Sequence, residues 1–115
     1  MSQLKFPDGF LWGAATASHQ VEGNTTNDWS EWEKQNADRL AQEAQSKFGH
    51  IKYWERLRPE AEDPMNYISG EACDHYHRFR EDFDIAKSLH HNAHRFSIEW
   101  SRIEPTEGVF DEKAI

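Results

Sequence analysis

The residues best suited to chemistry sit at the ends of two apolar runs. Phe10, Leu11 and Trp12 lead through small residues to His19, Gln20, Val21 and Glu22, which places an amide and a carboxylate two positions apart. A strand that opens apolar and closes on such groups has a packed bottom and a chemical top. That asymmetry belongs to parallel barrels, whose sites lie at the carboxyl ends of the strands. Further along, His94 to Trp100 alternates, with Phe96, Ile98 and Trp100 on one side and Arg95, Ser97 and Glu99 on the other. If this strand pairs in parallel with the first, the intervening helix covers the apolar face and the polar face turns into the barrel. Charges facing inward are costly unless paired, so Arg95 and Glu99 mark a candidate site. A separate constellation, Cys73, Asp74, His75 and His77 with His90 and His91 nearby, has partial metal-ligand character, because Cys73 and His77 share a helical face. It lacks a second cysteine, and exposed helix histidines explain it equally well, so no metal is assigned.

The elements that must position these groups follow from periodicity and punctuation. A Pro7-Asp8-Gly9 turn feeds a first strand over about residues 10–17. An insertion of about residues 24–70 follows. Its first helix is signalled by the capping-box spacing of Ser30 and Glu33, with Asp28 as a competing cap, and it stops at Gly49. Trp29, Trp32, Leu40, Ala41, Ala44 and Phe48 form its apolar stripe. Ile51 to Ala61 reads as a short helix or an irregular excursion, interrupted by Pro59. Asp63-Pro64 and Ser69-Gly70 then punctuate a loop. A helix over about residues 71–90 is expected next, capped by Ser69, with Ala72, Tyr76, Phe79, Phe83, Ala86 and Leu89 on one face. The second strand covers about residues 93–99, a loop spans Ser101 to Pro105, and a new helix is expected from about Asp111.

Strand, helix and parallel strand define an α/β chain. Two strands and one crossover helix cannot close a (β/α)8 barrel, which takes about 250 residues. Residues 1–115 are therefore read as the N-terminal part of such a barrel, incomplete as given. Isolated, such a chain is expected to unfold with poor cooperativity.

Composition narrows the partners. A net charge of −8 argues against a nucleic-acid or anionic-membrane surface, since both require clustered Lys and Arg. The single cysteine, Cys73, forbids an internal disulfide and points to a reducing compartment. Neither a basic-then-apolar leader nor an apolar run of ~18–20 residues is present, so a soluble, cytoplasmic protein is expected. Oligomeric state is not legible.

The stretch Phe6 to Gly23, FPDGFLWGAATASHQVEG, resembles the amino-terminal signature of family 1 glycoside hydrolases, the retaining β-glucosidase family. The pattern F-x-x-G-F-x-W-G-x-A-T-x-x-x-Q-x-E-G is met by Phe6, Gly9, Phe10, Trp12, Gly13, Ala15, Thr16, Gln20, Glu22 and Gly23. A second block, Asp74, Tyr76 and Arg78, and a third from His94 to Ile103, HRFSIEWSRI, are similar to the same family. Lys34 to Asn66 has no claimed counterpart.

The resemblance implies hydrolysis of terminal β-linked sugars by double displacement, with a small-molecule β-glycoside as partner and no cofactor. Such enzymes use two carboxyl groups about 5–5.5 Å apart, a nucleophile and an acid/base. In the family these are glutamates of a T-x-N-E-P block and an E-N-G block. Neither block occurs here, so no residue of this chain inherits a catalytic role. Gln20 matches the position whose amide grips sugar hydroxyls, and an amide supplies both a donor and an acceptor to a diol edge. Arg95 matches the arginine beneath the nucleophile, where a guanidinium lowers a carboxylate's pKa by roughly 1–3 units. Its alternative is an ion pair with Glu22 or Glu99, which are assigned a supporting place beside the site. Trp12, Phe96, Ile98 and Trp100 are expected in the core; Trp29 and Trp32 reach the site rim or, preferably, pack. A non-catalytic sugar-binding or scaffold barrel, a 6-phospho-β-glycosidase and an independent helical metal or interaction module remain alternatives.

Overall fold

The computed structural model describes residues 5–115. Strand β1 (Gly13–Ala15) is followed by a single helical turn, α1 (Ser18–Val21), and by a long helix, α2 (Asp28–Phe48). Helix α3 (Trp54–Ala61) and a 3-10 turn (Pro64–Tyr67) complete the excursion. Helix α4 (His75–Ser88) then leads to β2 (Ala93–Arg95), and a short α5 (Trp100–Ile103) follows. The two strands pair in parallel, with Gly13 opposite Ala93, Ala14 opposite His94 and Ala15 opposite Arg95. Asn92 fixes this register: its Oδ1 accepts from the Trp12 amide at 2.8 Å, and its Nδ2 donates to the Phe10 carbonyl. Gly13 is required there, because a Cβ would strike the Ala93 carbonyl.

Both strands are shorter than the expected spans of about 10–17 and 93–99. Among the described residues each has a single ladder partner, and the backbone bond from the Thr16 amide to the Arg95 carbonyl, at 3.0 Å, ends the ladder. The Pro7-Asp8-Gly9 turn does form, with the Phe10 amide donating to the Pro7 carbonyl at 3.2 Å. Helix α4 starts at His75, not at residue 71. Ala72 and Asp74 take left-handed φ of 49° and 53°, and the expected cap, Ser69, instead spends its hydroxyl and amide on Glu33. The cap of α2 also differs from expectation. Asn27, not Ser30 or Asp28, holds the N-cap, and Ser30 returns the bond, so Glu33 is released for a distant contact. Trp100 to Ile103 is a helical turn where a loop was expected, and residues 112–114 form a turn without a helix. Residues 1–4 of the expected domain lie outside the described residues.

Burial is concentrated in the excursion. Among the described residues, Ala37, Ala41 and Ala44 of α2 and Trp54 of α3 are the buried apolar ones, and the Trp54 Nε1–H donates to Gln45 Oε1 at 2.6 Å. Phe79, Phe83, Phe96 and Ile98, between α4 and the sheet, remain 41–64% exposed. They line an apolar cavity with Thr16, Val21 and His75. The accessible surface is 9468 Å², against about 6,500 Å² for a folded monomer of this mass. The radius of gyration is 19.2 Å, where a compact domain would have about 13 Å. Among the described residues, no helix is long and apolar enough to cross a membrane.

Candidate functional site

Parallel pairing puts the carboxyl ends of β1 and β2 on one edge, so α1 and Arg95 share that edge. Four residues are too few for a self-sustaining helix. The α1 turn is held by its neighbours. The Ser18 amide donates to Ser97 Oγ at 2.8 Å. Glu22 Oε2 accepts from Arg102 Nε at 3.2 Å, and Arg102 Nη2 donates to the Gly23 carbonyl at 2.6 Å. Gly23, at φ 84°, packs so closely on Glu71 that no side chain fits. Arg102 also lies over the Tyr76 ring, 4.1 Å from its centroid, which ties α4 to the same corner. Gln20 is exposed on this tethered turn, and among the described residues its side-chain amide has no hydrogen-bond partner.

Residue 19 carries the main inward tether. His19 Nε2 lies 3.0 Å from Glu33 Oε1, and its Nδ1 lies 3.1 Å from Thr25 Oγ1 and 3.3 Å from Asn27 Nδ2. Asn27 Nδ2 also donates to Glu99 Oε2 at 2.9 Å, and Ser101 Oγ donates to Glu99 Oε1 at 2.7 Å. Glu33 accepts from Ser69 twice, from its amide at 2.9 Å and its hydroxyl at 2.8 Å. Burial pushes the Glu33 carboxyl upward, but the bonds from His19 and Ser69 outweigh it and hold the group below its ordinary value. Glu33 and Glu99 are both buried. Neither was singled out in sequence as this network's anchor, although Ser30, Glu33, Ala37, Ala41 and Ala44 form one helical row with a carboxylate in it.

The candidate residues thus divide. Glu22 pairs with Arg102, and Glu99 is satisfied by Asn27 and Ser101. Neither is paired with Arg95, which is exposed and has no carboxylate partner among the described residues. Trp29 and Trp32 do not pack into the excursion. They stack on each other with centroids 5.1 Å apart and planes 18° from parallel, and remain 55% and 41% exposed. The Trp29 ring meets His19 edge-on at 6.5 Å, so an aromatic face stands beside the Gln20 turn. His75 is bound to Asp82 at 2.7 Å and His77 to Asp74 at 2.6 Å, and no three His, Cys, Asp or Glu side chains among the described residues converge for a metal.

Parallel strands joined through a covering helix, with polar groups gathered at their common carboxyl edge, make this the opening section of a (β/α)8 barrel. The glycosyl hydrolase family 1 pattern matches residues 2–114. The chain belongs to that family. Beta-glucosidase A of Thermotoga maritima is 38% identical over 109 residues, covering 91% of this chain and 20% of that protein. Beta-glucosidase A of Acetivibrio thermocellus is 36% identical over 120 aligned positions, covering 100% of this chain and 22% of that protein. The solved beta-glycosidase from Pyrococcus horikoshii superposes with a TM-score of 0.59 at 40% identity, over 96% of this chain and 20% of that one. Thermotoga maritima beta-glucosidase in complex with castanospermine gives 0.57 at 31% identity. The chain spans about a fifth of the length of these relatives.

Proposed function

We propose that this chain forms one wall of the active site of a retaining β-glycosidase that removes terminal β-linked glucose or galactose. Gln20 grips hydroxyls of the terminal sugar. Arg95 lies beneath the nucleophilic glutamate and keeps it ionised, and Glu22 and Glu99 hold the surrounding backbone through Arg102, Asn27 and Ser101. Both catalytic carboxyls come from chain beyond this sequence: one attacks the anomeric carbon to form a glycosyl-enzyme ester while the other protonates the departing oxygen. Water, deprotonated by that second group, then attacks the anomeric carbon and releases the sugar and the first carboxylate. The exposed face of Trp29 suits the apolar side of a sugar ring. A cytoplasmic location, resting on the lone Cys73 thiol, and a part in carbohydrate metabolism belong to the same proposal.

The observation that supports this most is the side-chain amide of Gln20, unspent among the described residues, on a turn held at Ser18, His19 and Glu22, at the edge that also carries Arg95, which has no carboxylate partner among the described residues. Preorganised groups with free hydrogen-bonding capacity are what a polar ligand requires. The test is hydrolysis by the complete enzyme of a nitrophenyl β-glycoside panel that includes 6-phosphorylated members. Turnover of unphosphorylated glucosides or galactosides supports the proposal. Turnover of phosphorylated ones alone replaces it with the phosphoglycosidase, and no turnover replaces it with the sugar-binding barrel. Gln20→Ala should lower kcat/KM by about 10²-fold, the worth of two lost hydrogen bonds. A loss under twofold removes Gln20 from the site. Arg95→Met should move the acidic limb of the pH–rate profile upward by about a unit or more; an unmoved limb removes the arginine's role.

A further inference from the structure

The buried carboxylate of Glu33 has no part in the reaction just described, yet it accepts from both His19 and Ser69 close to Gln20. It lies on α2, the helix of the excursion, 14 positions from His19 and 36 from Ser69, and it bonds both. The direction of these bonds can be read from chemistry. The Asn27 side-chain oxygen accepts from the Ser30 amide at 2.8 Å, which fixes the orientation of the amide and leaves its nitrogen facing His19 and Glu99. An amide nitrogen only donates, so His19 Nδ1 presents its lone pair and the proton resides on Nε2, aimed at Glu33. The imidazole is therefore clamped from both sides, by donors at one nitrogen and an acceptor at the other.

We infer that Glu33, acting through His19, is a positioning residue that sets the orientation of Gln20 toward sugar, and that buttressing the glycone wall is a function of the excursion. The inference rests on Gln20 being the sugar-gripping amide. His19 and Gln20 are consecutive on a four-residue turn with no side-chain cap, so a rotation of one backbone unit moves the other. Ser18, Glu22 and Gly23 hold the ends of the turn, and His19 is its tie to α2. Helix α2 is rigid enough to serve as the anchor, because its next turns are the buried Ala37, Ala41 and Ala44 row. Placement of a binding group through a supporting layer of hydrogen bonds is how sites acquire their precision.

Glu33→Gln keeps the volume but sets an amide donor against a donor, since both carboxylate oxygens accept. Thr25→Val is the milder probe and removes only the hydroxyl at His19 Nδ1. Each is introduced into the complete enzyme, alone and together with Gln20→Ala, and assayed on the nitrophenyl glycoside that the enzyme prefers, with melting temperature as a control. The expected single-variant loss in kcat/KM is about tenfold for Glu33→Gln and about threefold for Thr25→Val. Both losses should disappear in the Gln20→Ala background, because groups acting through one residue are not additive. If Gln20→Ala is severe and either loss persists unchanged beside it, the inference is overturned while the sugar role of Gln20 stands. If Glu33→Gln does not fold, Thr25→Val decides by the same cycle. A Gln20→Ala loss under twofold overturns the reading beneath the inference, and the inference with it.

Discussion

Among the described residues, the buried apolar side chains all lie within residues 24–70, whereas the strand–helix–strand frame on either side of that excursion buries none. In the excursion, Ala37, Ala41, Ala44 and Trp54 are buried, Trp54 and Gln45 close a bond between α2 and α3, and Ser69 ties the exit of the segment back to α2. In the frame, three residue pairs make up the sheet among the described residues, and the exposed Phe79, Phe83, Phe96 and Ile98 line one open cavity. The difference follows from range. The excursion's helices pack on one another, while a barrel strand is completed only by strands and helices many elements away.

Hydrogen exchange on the 115-residue chain provides the strongest test of that contrast. Interior amides of α2, over residues 33–45, should exchange at least ~10²-fold more slowly than those of β1, β2 and α4, because protection tracks local burial. Equal protection in α4 would break the comparison. Trp54→Ala should then remove most of the protection in α2, since opening a cavity at a buried Trp costs about 3–5 kcal/mol and long helices rely on packing. Phe96→Ala, at a side chain already 64% exposed, should leave the exchange pattern unchanged.

The same contrast explains what could be read in the chain. The sequence shows α2 and α4 as helices because their apolar spacing is local, and it marks Gln20 and Arg95 as candidates because their motifs are. It overstates the strands, since alternation says which way side chains point and not how many partners a strand has. It also misplaces the cap of α2. Ser30 and Glu33 have capping-box spacing, but Glu33 is claimed by Ser69, a bond that no local pattern contains. Trp29 and Trp32 mislead for the opposite reason: they lie on a helical stripe, which suggests burial, yet they stack with each other in solvent. The buried row was available in principle, as small residues four apart with a carboxylate among them.

A smaller effect separates the cap from the core. Asn27 accepts from the Ser30 amide and joins His19 to Glu99, so Asn27→Ala removes a cap and two tertiary contacts. Loss of the cap alone should lower protection in the first turn of α2 by about 1 kcal/mol. The tertiary part should appear as faster exchange at residues 18–21, which Asn27 reaches only through His19. If residues 18–21 are unaffected, the excursion and the site turn are not coupled.

The smallest effect contrasts two carboxylates of α2 that both titrate below their ordinary 4.5. For Glu43 the cause is hydrogen bonding first from Lys47 and then from Arg39, all on the solvent face. For Glu33, burial works against ionisation, and His19 and Ser69 overcome it. A depressed folded value means that the unfolded chain binds the proton more readily. The stabilisation is therefore complete above the ordinary value and is lost as pH falls through the lower, folded one. Salt should distinguish the two. At 1 M the screening length is about 3 Å, which weakens Glu43's exposed contacts and leaves an enclosed pair largely intact. The acid-induced loss of protection at residues 33–37 should thus survive high salt and vanish in Glu33→Gln, while Glu43→Gln should change nothing at any salt concentration. An acid transition at residues 33–37 that high salt abolishes would place Glu33 in water, and the excursion would lose its claim to a closed interior at the very residue that faces the site.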